Sequence, residues 1–365
     1  MEDNINKMET MPYDPETIRV DTKTFNIGLV NDMINDGDIN LSPDFQRQFV
    51  WKDLGSRSRL IESVMLRIPL PVFYLAEDKN GKFHVVDGLQ RLTVISQFLN
   101  NKFRLRDLEY IKDQEGKLFD KKDSSQCIDK RYQKRILQTQ IVINVIDQQT
   151  PTNVKFDIFK RINQGGKPLN SQEIRNCMSF PKTRELLLFL KNSDEFLMAT
   201  QNSVKSTRMQ DQALILRFLA FRLEQMDNDY RYNGNMEKFL DSAVEILNDN
   251  LDIHSDLTKD FLQSMKNCYH LFGDFAFRKC LPIDLNPGAK RCFFNNALFT
   301  TWSIVLADFS FNEIIKKEKG LLAKKIADRF KNDSQYYDSV TNGTNDKRRL
   351  SYAFNVANEL SKKYL

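Results

Sequence analysis

The sequence is poor in the residues from which metal sites and disulfide frameworks are built. Its 365 residues include three histidines, and no two of them are four residues apart, which argues against a histidine-rich metal site. The five cysteines are odd in number, widely spaced and without a Cys-x-x-Cys pair. This pattern indicates reduced thiols and argues against a disulfide framework or a zinc knuckle.

Long apolar runs and a strong charge imbalance are also missing. The longest uncharged apolar stretch, NNALFTTWSIVLA, is too short to span a bilayer, and the polar N-terminus shows no secretory signal. A net charge of +5 permits contact with nucleic acid without predicting it. With 41% hydrophobic and 28% charged residues, the composition is that of an ordinary globular protein. We therefore expect a cytoplasmic protein with no membrane partner.

The chain is longer than most single domains, and the pattern of predicted elements changes along it. Residues 1–23 are predicted to form an N-terminal arm, and Thr24 is a plausible N-cap for a short helix that Gly37 ends. Residues 24–150 mix predicted helices with β-rich runs, whereas residues 151–365 contain only helical patterns. The sequence thus predicts an α+β domain followed by an all-helical region.

A β-hairpin is predicted directly before the most unusual part of the sequence. The runs VFYLAED and KFHVV flank the tetrapeptide KNGK, and Asn80-Gly81 is typical of a two-residue type I′ turn. We expect residues 72–77 and 82–87 to pair antiparallel, with a helix beginning near Gln90. A further strand is predicted at QIVINVI, residues 140–146.

Polar residues crowd the point where this hairpin becomes a helix, in HVVDGLQRLTVISQFL. A helix N-terminus attracts phosphate, and Gly88 would let the backbone approach it closely. Arg91 could grip a phosphate bidentately, Asp87 could hold a hydrated Mg²⁺, and Gln90 could orient a water. The alternative is structural: Asp87 caps the helix, Gly88 makes the turn and Arg91 faces solvent. Spacing alone weighs the two interpretations equally.

Two other polar clusters lie at predicted turns. SPDFQRQFVW places Gln46 and Arg47 among aromatic residues, which could equally be an aromatic plug with the arginine at its edge. FKRINQGGKPLNSQEIRN contains a glycine pair whose N–H groups could form an anion-binding nest, and Arg161 and Asn163 flank it. The structural alternative is a helix–loop–helix corner in which Glu173 completes a capping box, and for Glu173 we favour it.

Three polar clusters, each at a predicted turn, are best explained if they line one pocket. We therefore expect Arg47, Asp87, Arg91 and Asn163 to converge on a single cleft, although they are far apart in sequence.

The sequence resembles the N-terminal domain family of GmrSD-type, modification-dependent restriction enzymes. The resemblance rests on three motifs in the same order: PDFQRQFVW, DGLQRLT and FKRINQGGKPLNSQEIRN. The resemblance covers about residues 24–180 closely. It implies a ParB/sulfiredoxin-like fold for the first domain and a site for a nucleoside triphosphate, with hydrolysis attributed to an Asp-Gly-Gln-Gln-Arg motif. Leu89 stands where many members carry the first glutamine, so any role of that amide is absent here.

The resemblance also implies roles for particular residues of this sequence. Catalysis is implied for Asp87, Gln90 and Arg91, with Asp87 also holding Mg²⁺. Contacts with the nucleotide are implied for Gln46, Arg47, Gly88, Arg161, Asn163, Gly165 and Gly166.

Nuclease-bearing relatives carry a C-terminal His-Asn-His type domain, which needs a catalytic histidine beside metal ligands. The last histidine here, His270, has no such surroundings in the sequence. We therefore expect a nucleotide-binding sensor or regulatory module with Mg²⁺-dependent hydrolysis, in a phage-defence system in which a separate subunit supplies the nuclease. The alternative is a non-catalytic module with the same fold that binds DNA or acts as a scaffold. A stand-alone nuclease is the least favoured interpretation.

Overall fold

The computed structural model describes residues 18–41, 53–78, 80–120, 124–162, 169–290 and 292–365. The chain divides into two compact units, Met1–Leu169 and Asn170–Leu365. The sequence predicts a boundary after Thr150, whereas the helix Thr152–Ile162 packs on a strand of the first unit and belongs with it.

The described part of the first unit contains a five-stranded mixed sheet in the order β1-β5-β3-β4-β2. The β1/β5 and β3/β4 pairs are antiparallel, whereas β3/β5 and β2/β4 are parallel. The strands are β1 Val20–Asn26, β2 Ile39–Asn40, β3 Phe73–Glu77, β4 Phe83–Asp87 and β5 Gln140–Ile146.

The first strand corrects the sequence analysis. Val20 to Lys23 were assigned to an N-terminal arm, yet they begin β1, which pairs with β5 over its whole length. Thr24 also lies in this strand and is not a helix N-cap. The following helix is capped by Asn26, whose side chain accepts a hydrogen bond from the Leu29 N–H. A polar edge strand lacks the apolar alternation by which strands are recognised.

Helices pack against one another and the sheet to form the core of this unit. Phe73 on β3, Ile143 on β5 and Phe98 on the helix after β4 are fully buried. The described helices are α1 Ile27–Asn35, α2 Leu54–Met65, α3 Leu89–Leu99, α4 Lys130–Gln138 and α5 Thr152–Ile162.

The predicted hairpin is confirmed, but its turn differs from the prediction. Strands β3 and β4 pair antiparallel, and α3 begins at Leu89. The Asp78 N–H bonds to the Lys82 carbonyl and the Gly81 N–H bonds to the Asp78 carbonyl, so the loop is longer than two residues. Gly81 has a left-handed φ of 75°, as the last residue of a three-residue hairpin loop often does.

The second unit is helical, and no strand is assigned among its described residues. Together with the mixed sheet of the first unit, this confirms the α+β class and the helical C-terminal region. Its helices are α6 Ser171–Met178, α7 Pro181–Lys191, α8 Asp194–Thr200, α9 Gln210–Met226, α10 Met236–Asp249, α11 His254–Phe272, α12 Asn296–Ala307, α13 Phe311–Ile314, α14 Leu321–Asn332, α15 Ser334–Ser339 and α16 Lys347–Tyr364. Over the described ranges, no helix combines the length and the hydropathy needed to cross a membrane.

The starts of two helices of this unit are set by their N-cap residues. Gly320, with a left-handed φ of 79°, is the N-cap of α14 and separates it from α13, which ends at Ile314. Helix α12 begins at Asn296, because the Asn295 side chain accepts a hydrogen bond from the Leu298 N–H and so caps it.

A buried carboxylate fixes one loop of the first unit. Glu62 on α2 accepts hydrogen bonds from the N–H groups of Glu109, Tyr110 and Ile111 at 2.9, 2.7 and 2.8 Å. Burial alone would raise the pKa of the Glu62 carboxyl, but these donors, with Lys112 nearby, hold it below its ordinary value. The loop is therefore tied to α2 by an ionised group.

We predict that Glu62→Gln loosens this loop in a pH-dependent way. Hydrogen bonds to a charged acceptor contribute about 1.5–3 kcal/mol, so the amides of residues 109–111 should exchange with deuterium faster in the variant at neutral pH. Because the folded pKa is lowered, the carboxylate stabilises the loop fully above the unfolded pKa of about 4.3 and loses that effect as pH falls through the folded value.

Hydrogen–deuterium exchange of a peptide spanning residues 105–112, measured across the acid range, checks this. The difference between parent and variant should narrow as the pH falls below about 4. Glu115→Gln is the matched control, since that carboxylate is exposed and accepts a single N–H, from Asp107. An effect of Glu62→Gln that does not change with pH would contradict the prediction.

Candidate functional site at the strand-to-helix turn

The polar cluster of the central motif lies where β4 passes directly into α3. The register of the hairpin shifts there, since Tyr74 pairs with Asp87 while Leu75 pairs with Val85. A bulge of this kind bends the strand and redirects its side chains, and bulges are common beside functional sites.

Gly88 forms the turn itself. Its φ is 93°, and a Cβ atom built on it would lie 2.3 Å from Cδ1 of Phe73. Gly88 is the N-cap of α3 and makes no side-chain capping bond. In the part of the chain that the structure describes, the first N–H groups of α3 therefore have no side-chain partner, and the interpretation in which Asp87 caps the helix is wrong.

The structural alternative predicted that Arg91 faces solvent, and this prediction is wrong. Its side chain is 15% exposed, and its Nη2 donates to Asp87 Oδ2 at 2.9 Å and to the Val72 carbonyl at 3.2 Å. Its Nη1 donates to the Pro71 carbonyl, and the guanidinium carbon lies 4.3 Å from the centre of the Phe73 ring. Burial lowers the pKa of Arg91, and Asp87 opposes that shift. The guanidinium thus joins the start of β3 to the end of β4.

Asp87 uses one carboxylate oxygen for this ion pair. Its side chain is 35% exposed, and its other oxygen, Oδ1, has no hydrogen bond to the described residues. The carboxylate therefore has both a fixed orientation and one oxygen available to a ligand.

Gln90 has a buried side-chain oxygen without a partner. Its Oε1 is shielded from solvent and accepts no hydrogen bond in the described part of the chain. Leaving a buried acceptor unpaired costs about 1–3 kcal/mol, and such groups in folded proteins call for a bound molecule or a functional role.

The structure brings together only part of the predicted site. Asp87, Gly88, Gln90 and Arg91 share the turn, and Arg161 lies exposed in the last turn of α5. Gln46, Arg47, Asn163, Gly165 and Gly166 lie outside the described residues. The shared cleft of Arg47, Asp87, Arg91 and Asn163 therefore stays a prediction.

The end of the third motif lies in the second unit and supports the structural interpretation of Glu173. Asn170 and Glu173 form a reciprocal capping box at the start of α6, with hydrogen bonds of 2.8 and 2.7 Å. Glu173 also pairs with Arg208 at 2.7 Å. The capping interpretation of Glu173 is confirmed.

Helix α6 carries two buried side-chain amides that the sequence analysis does not single out as candidate site residues. Gln172 is 4% exposed and Asn176 is fully buried, and neither the oxygen nor the nitrogen of either amide has a partner among the described residues. Their spacing of four residues, which places both amides on one face of a helix, is the sequence feature that could have identified them.

The histidines have structural partners in the described chain. His84 pairs with Asp78 at 3.0 Å, and Nε2 of His254 and of His270 lie 2.9 and 2.8 Å from the carbonyls of Leu247 and Lys317. Over the described ranges, no three His, Cys, Asp or Glu side chains gather into a possible metal site.

We predict that Gly88→Ala is strongly destabilising. A left-handed φ costs a side chain about 1–2 kcal/mol, and the overlap with the Phe73 ring adds about 1–3 kcal/mol. Gly81→Ala is the matched control, because it has a φ of 75° but no atom nearer than 4.0 Å, so only the first cost applies. Thermal melting compares the two, and equal losses would show that the close packing on Phe73 is not needed.

Comparison with known proteins bears on the same segment. The family model described as GmrSD restriction endonuclease, N-terminal domain, matches residues 30–180, which include the turn at Gly88. No match was found among curated proteins or among solved structures. The ParB/sulfiredoxin-like architecture implied by the resemblance therefore stays a prediction, while the family itself is confirmed and suggests a role in a restriction system and so in phage defence. Residues 30–180 of this chain belong to the GmrSD restriction endonuclease N-terminal domain family.

Proposed function

We propose that this chain is a nucleotide-binding sensor or regulatory module of a phage-defence restriction system, and that it hydrolyses a nucleoside triphosphate with Mg²⁺. The observation that carries the proposal is the turn from β4 to α3. Among the described residues, it presents a helix N-terminus without a capping side chain, an oriented carboxylate at Asp87 and a buried, unpartnered oxygen at Gln90.

The phosphates would lie at the N-terminus of α3. Unpaired backbone N–H groups and the positive end of the helix dipole favour an anion at this position. Gly88 allows the left-handed φ of 93° with which α3 starts directly after β4. This support is independent of the ion pair next to it.

Asp87 is the residue that would hold Mg²⁺. A single carboxylate with a free oxygen fits a Mg²⁺ ion that is bound mainly by nucleotide phosphates and water, rather than a cage made entirely of protein. When bound, Mg²⁺ would neutralise charge on the phosphates. The ion pair with Arg91 partly neutralises the charge of Asp87. We therefore expect Mg²⁺ to bind together with the nucleotide and not to the protein alone.

Arg91 acts in this proposal mainly as a positioning residue. Three oxygens of the chain accept hydrogen bonds from its Nη1 and Nη2 groups, so it orients Asp87 and fixes the start of β3. The guanidinium has five N–H donors and places a positive charge at this turn, which supports a contribution to phosphate binding as well.

Gln90 would hold the water or the phosphate oxygen that takes part in hydrolysis. Amides of this kind position the attacking water in other nucleotide hydrolases. Leu89 offers no such group, so Gln90 alone would carry this role.

A nuclease activity would come from a partner subunit in this scheme. The sequence places no His-Asn-His pattern around its last histidine, and His270 is bonded to a backbone carbonyl. The chain would then report nucleotide or DNA state to the subunit that cuts.

The second candidate function is a non-catalytic module that binds DNA or acts as a scaffold. Leu89 in place of a glutamine and the intramolecular contacts of Arg91 favour it. The two candidates separate in one screen of the four ribonucleoside triphosphates, each with and without Mg²⁺ and DNA. Nucleotide-independent DNA binding without any hydrolysis would support the second.

We predict different defects for two variants of the turn. Asp87→Asn keeps an oxygen that can accept from Arg91 but removes the charge, so it should mainly abolish Mg²⁺-dependent turnover. Arg91→Ala should weaken nucleotide binding by about ten- to a hundredfold, the equivalent of ~1.5–3 kcal/mol. Calorimetric binding and a phosphate-release assay measure the two effects.

Loss of fold must be separated from loss of function in Arg91→Ala. Arg135→Ala is the matched control, because Arg135 also donates to a backbone carbonyl of the same unit, that of Met65, at 2.6 Å. If both variants of the turn are folded and bind and hydrolyse every nucleotide as the parent does, the phosphate site is not at this turn.

Gln90→Leu gives the sharpest separation of stability from function. Removing a buried acceptor that has no partner should leave the melting temperature unchanged or raise it, while nucleotide hydrolysis should fall by tenfold or more, roughly the effect of one positioned group. Gln133→Leu is the contrast, because that amide donates to the carbonyls of Phe119 and Ile128 and its loss should lower stability alone. Unchanged hydrolysis in a stable Gln90→Leu variant would remove Gln90 from the site.

A further inference from the structure

Two cysteines of the second unit lie opposite each other on antiparallel segments. Arg278 and Phe294 form an isolated antiparallel bridge between the segment after α11 and the segment before α12. In an antiparallel pair, each step forward on one segment is a step back on the other. Cys280 lies two residues after Arg278, and Cys292 lies two residues before Phe294. Continued over two further residues, this register would place the two cysteines opposite each other.

Two further observations place the cysteines near each other, as this register requires. Nη1 of Arg278 donates to the Cys292 carbonyl at 2.7 Å, and the Cys292 side chain is close enough to the Cys280 thiol to raise its pKa. Opposite residues in such pairs have Cα atoms about 4.5–5.5 Å apart, within the roughly 4.4–6.8 Å range that a disulfide spans.

The two thiols differ in their access to solvent. Cys280 is 4% exposed, whereas Cys292 is partly exposed. Burial raises the pKa of the Cys280 thiol, Cys292 and Asp284 add to that rise, and Arg278 opposes it. A small oxidant would reach Cys292 first, and Cys280 would be the second thiol.

We propose that Cys280 and Cys292 are an oxidation-sensitive pair that forms a reversible disulfide when the protein meets a peroxide. The Cys292 thiolate attacks hydrogen peroxide, the O–O bond breaks, and the sulfur becomes a sulfenic acid with release of water after proton uptake. The Cys280 sulfur then attacks that sulfur, the S–O bond breaks, and a second water leaves with the Cys280 proton. Two thiols and one peroxide thus give one disulfide and two waters, and the sulfurs supply both electrons.

The disulfide would close the loop between the two cysteines, residues 281–291. A cross-link restricts the unfolded chain, so the oxidised protein should be the more stable form. Cys177 and Cys268 are buried at separate places in the fold and serve as internal controls. This proposal does not depend on the proposed nucleotide site.

Peptide mapping of the full-length protein tests the pair. The reduced protein is treated with hydrogen peroxide, its remaining thiols are alkylated, and its peptides are identified by mass spectrometry. We expect a peptide linked through Cys280 and Cys292 that dithiothreitol separates, with Cys177 and Cys268 alkylated throughout. The oxidised protein should melt at a higher temperature than the reduced one, and Cys280→Ser should remove that shift.

The two serine variants test the order of events. In Cys280→Ser, dimedone should trap a sulfenic acid on Cys292, whereas in Cys292→Ser the Cys280 thiol should stay reduced. Complete alkylation of both cysteines after a peroxide dose that fully oxidises glutathione would overturn the proposal. A disulfide that links either cysteine to a different partner would overturn it equally.

Discussion

The candidate site depends on one guanidinium that holds two strand ends together. Arg91 sits in the first turn of α3, yet its partners are the carbonyls of Pro71 and Val72, the carboxylate of Asp87 and the ring of Phe73. Five donors in a rigid fork allow arginine to join several oxygens at once, which lysine could not do. Because β3 and β4 are fixed in this way, the helix N-terminus, the Asp87 carboxylate and the Gln90 oxygen keep a constant relation to one another.

The same arrangement leaves particular hydrogen-bonding groups unused, and these define what the turn can bind. Within the described ranges, the N–H groups at the start of α3 lack a capping side chain, one oxygen of Asp87 accepts no hydrogen bond, and Gln90 Oε1 is buried without a partner. Donors directed at one side and acceptors nearby match a phosphate accompanied by a cation. Gly88 stands at the N-cap of α3, a position where Ser, Thr, Asp and Asn are most common, and it packs against Phe73.

Much of this could be predicted from the sequence, and the failures have physical causes. The hairpin and α3 follow from local β-rich runs and helical periodicity, and the three ordered motifs identified the family. Strand β1 was missed because its residues are mostly polar and exposed, so only its pairing with β5 reveals it. The partners of Arg91 at Pro71 and Val72 and the pairing of Cys280 with Cys292 depend on tertiary register. Local sequence carries no signal for contacts of that kind.

The central claim is that nucleotide phosphates bind at the first turn of α3. Hydrogen–deuterium exchange of the peptide covering residues 87–93, recorded with each ribonucleoside triphosphate and Mg²⁺, tests it most directly. The account predicts that at least one nucleotide slows exchange of the Leu89, Gln90 and Arg91 amides, and that the control peptide over α16 is unchanged. Nucleotide binding that protects other segments and leaves residues 87–93 unaffected would contradict it.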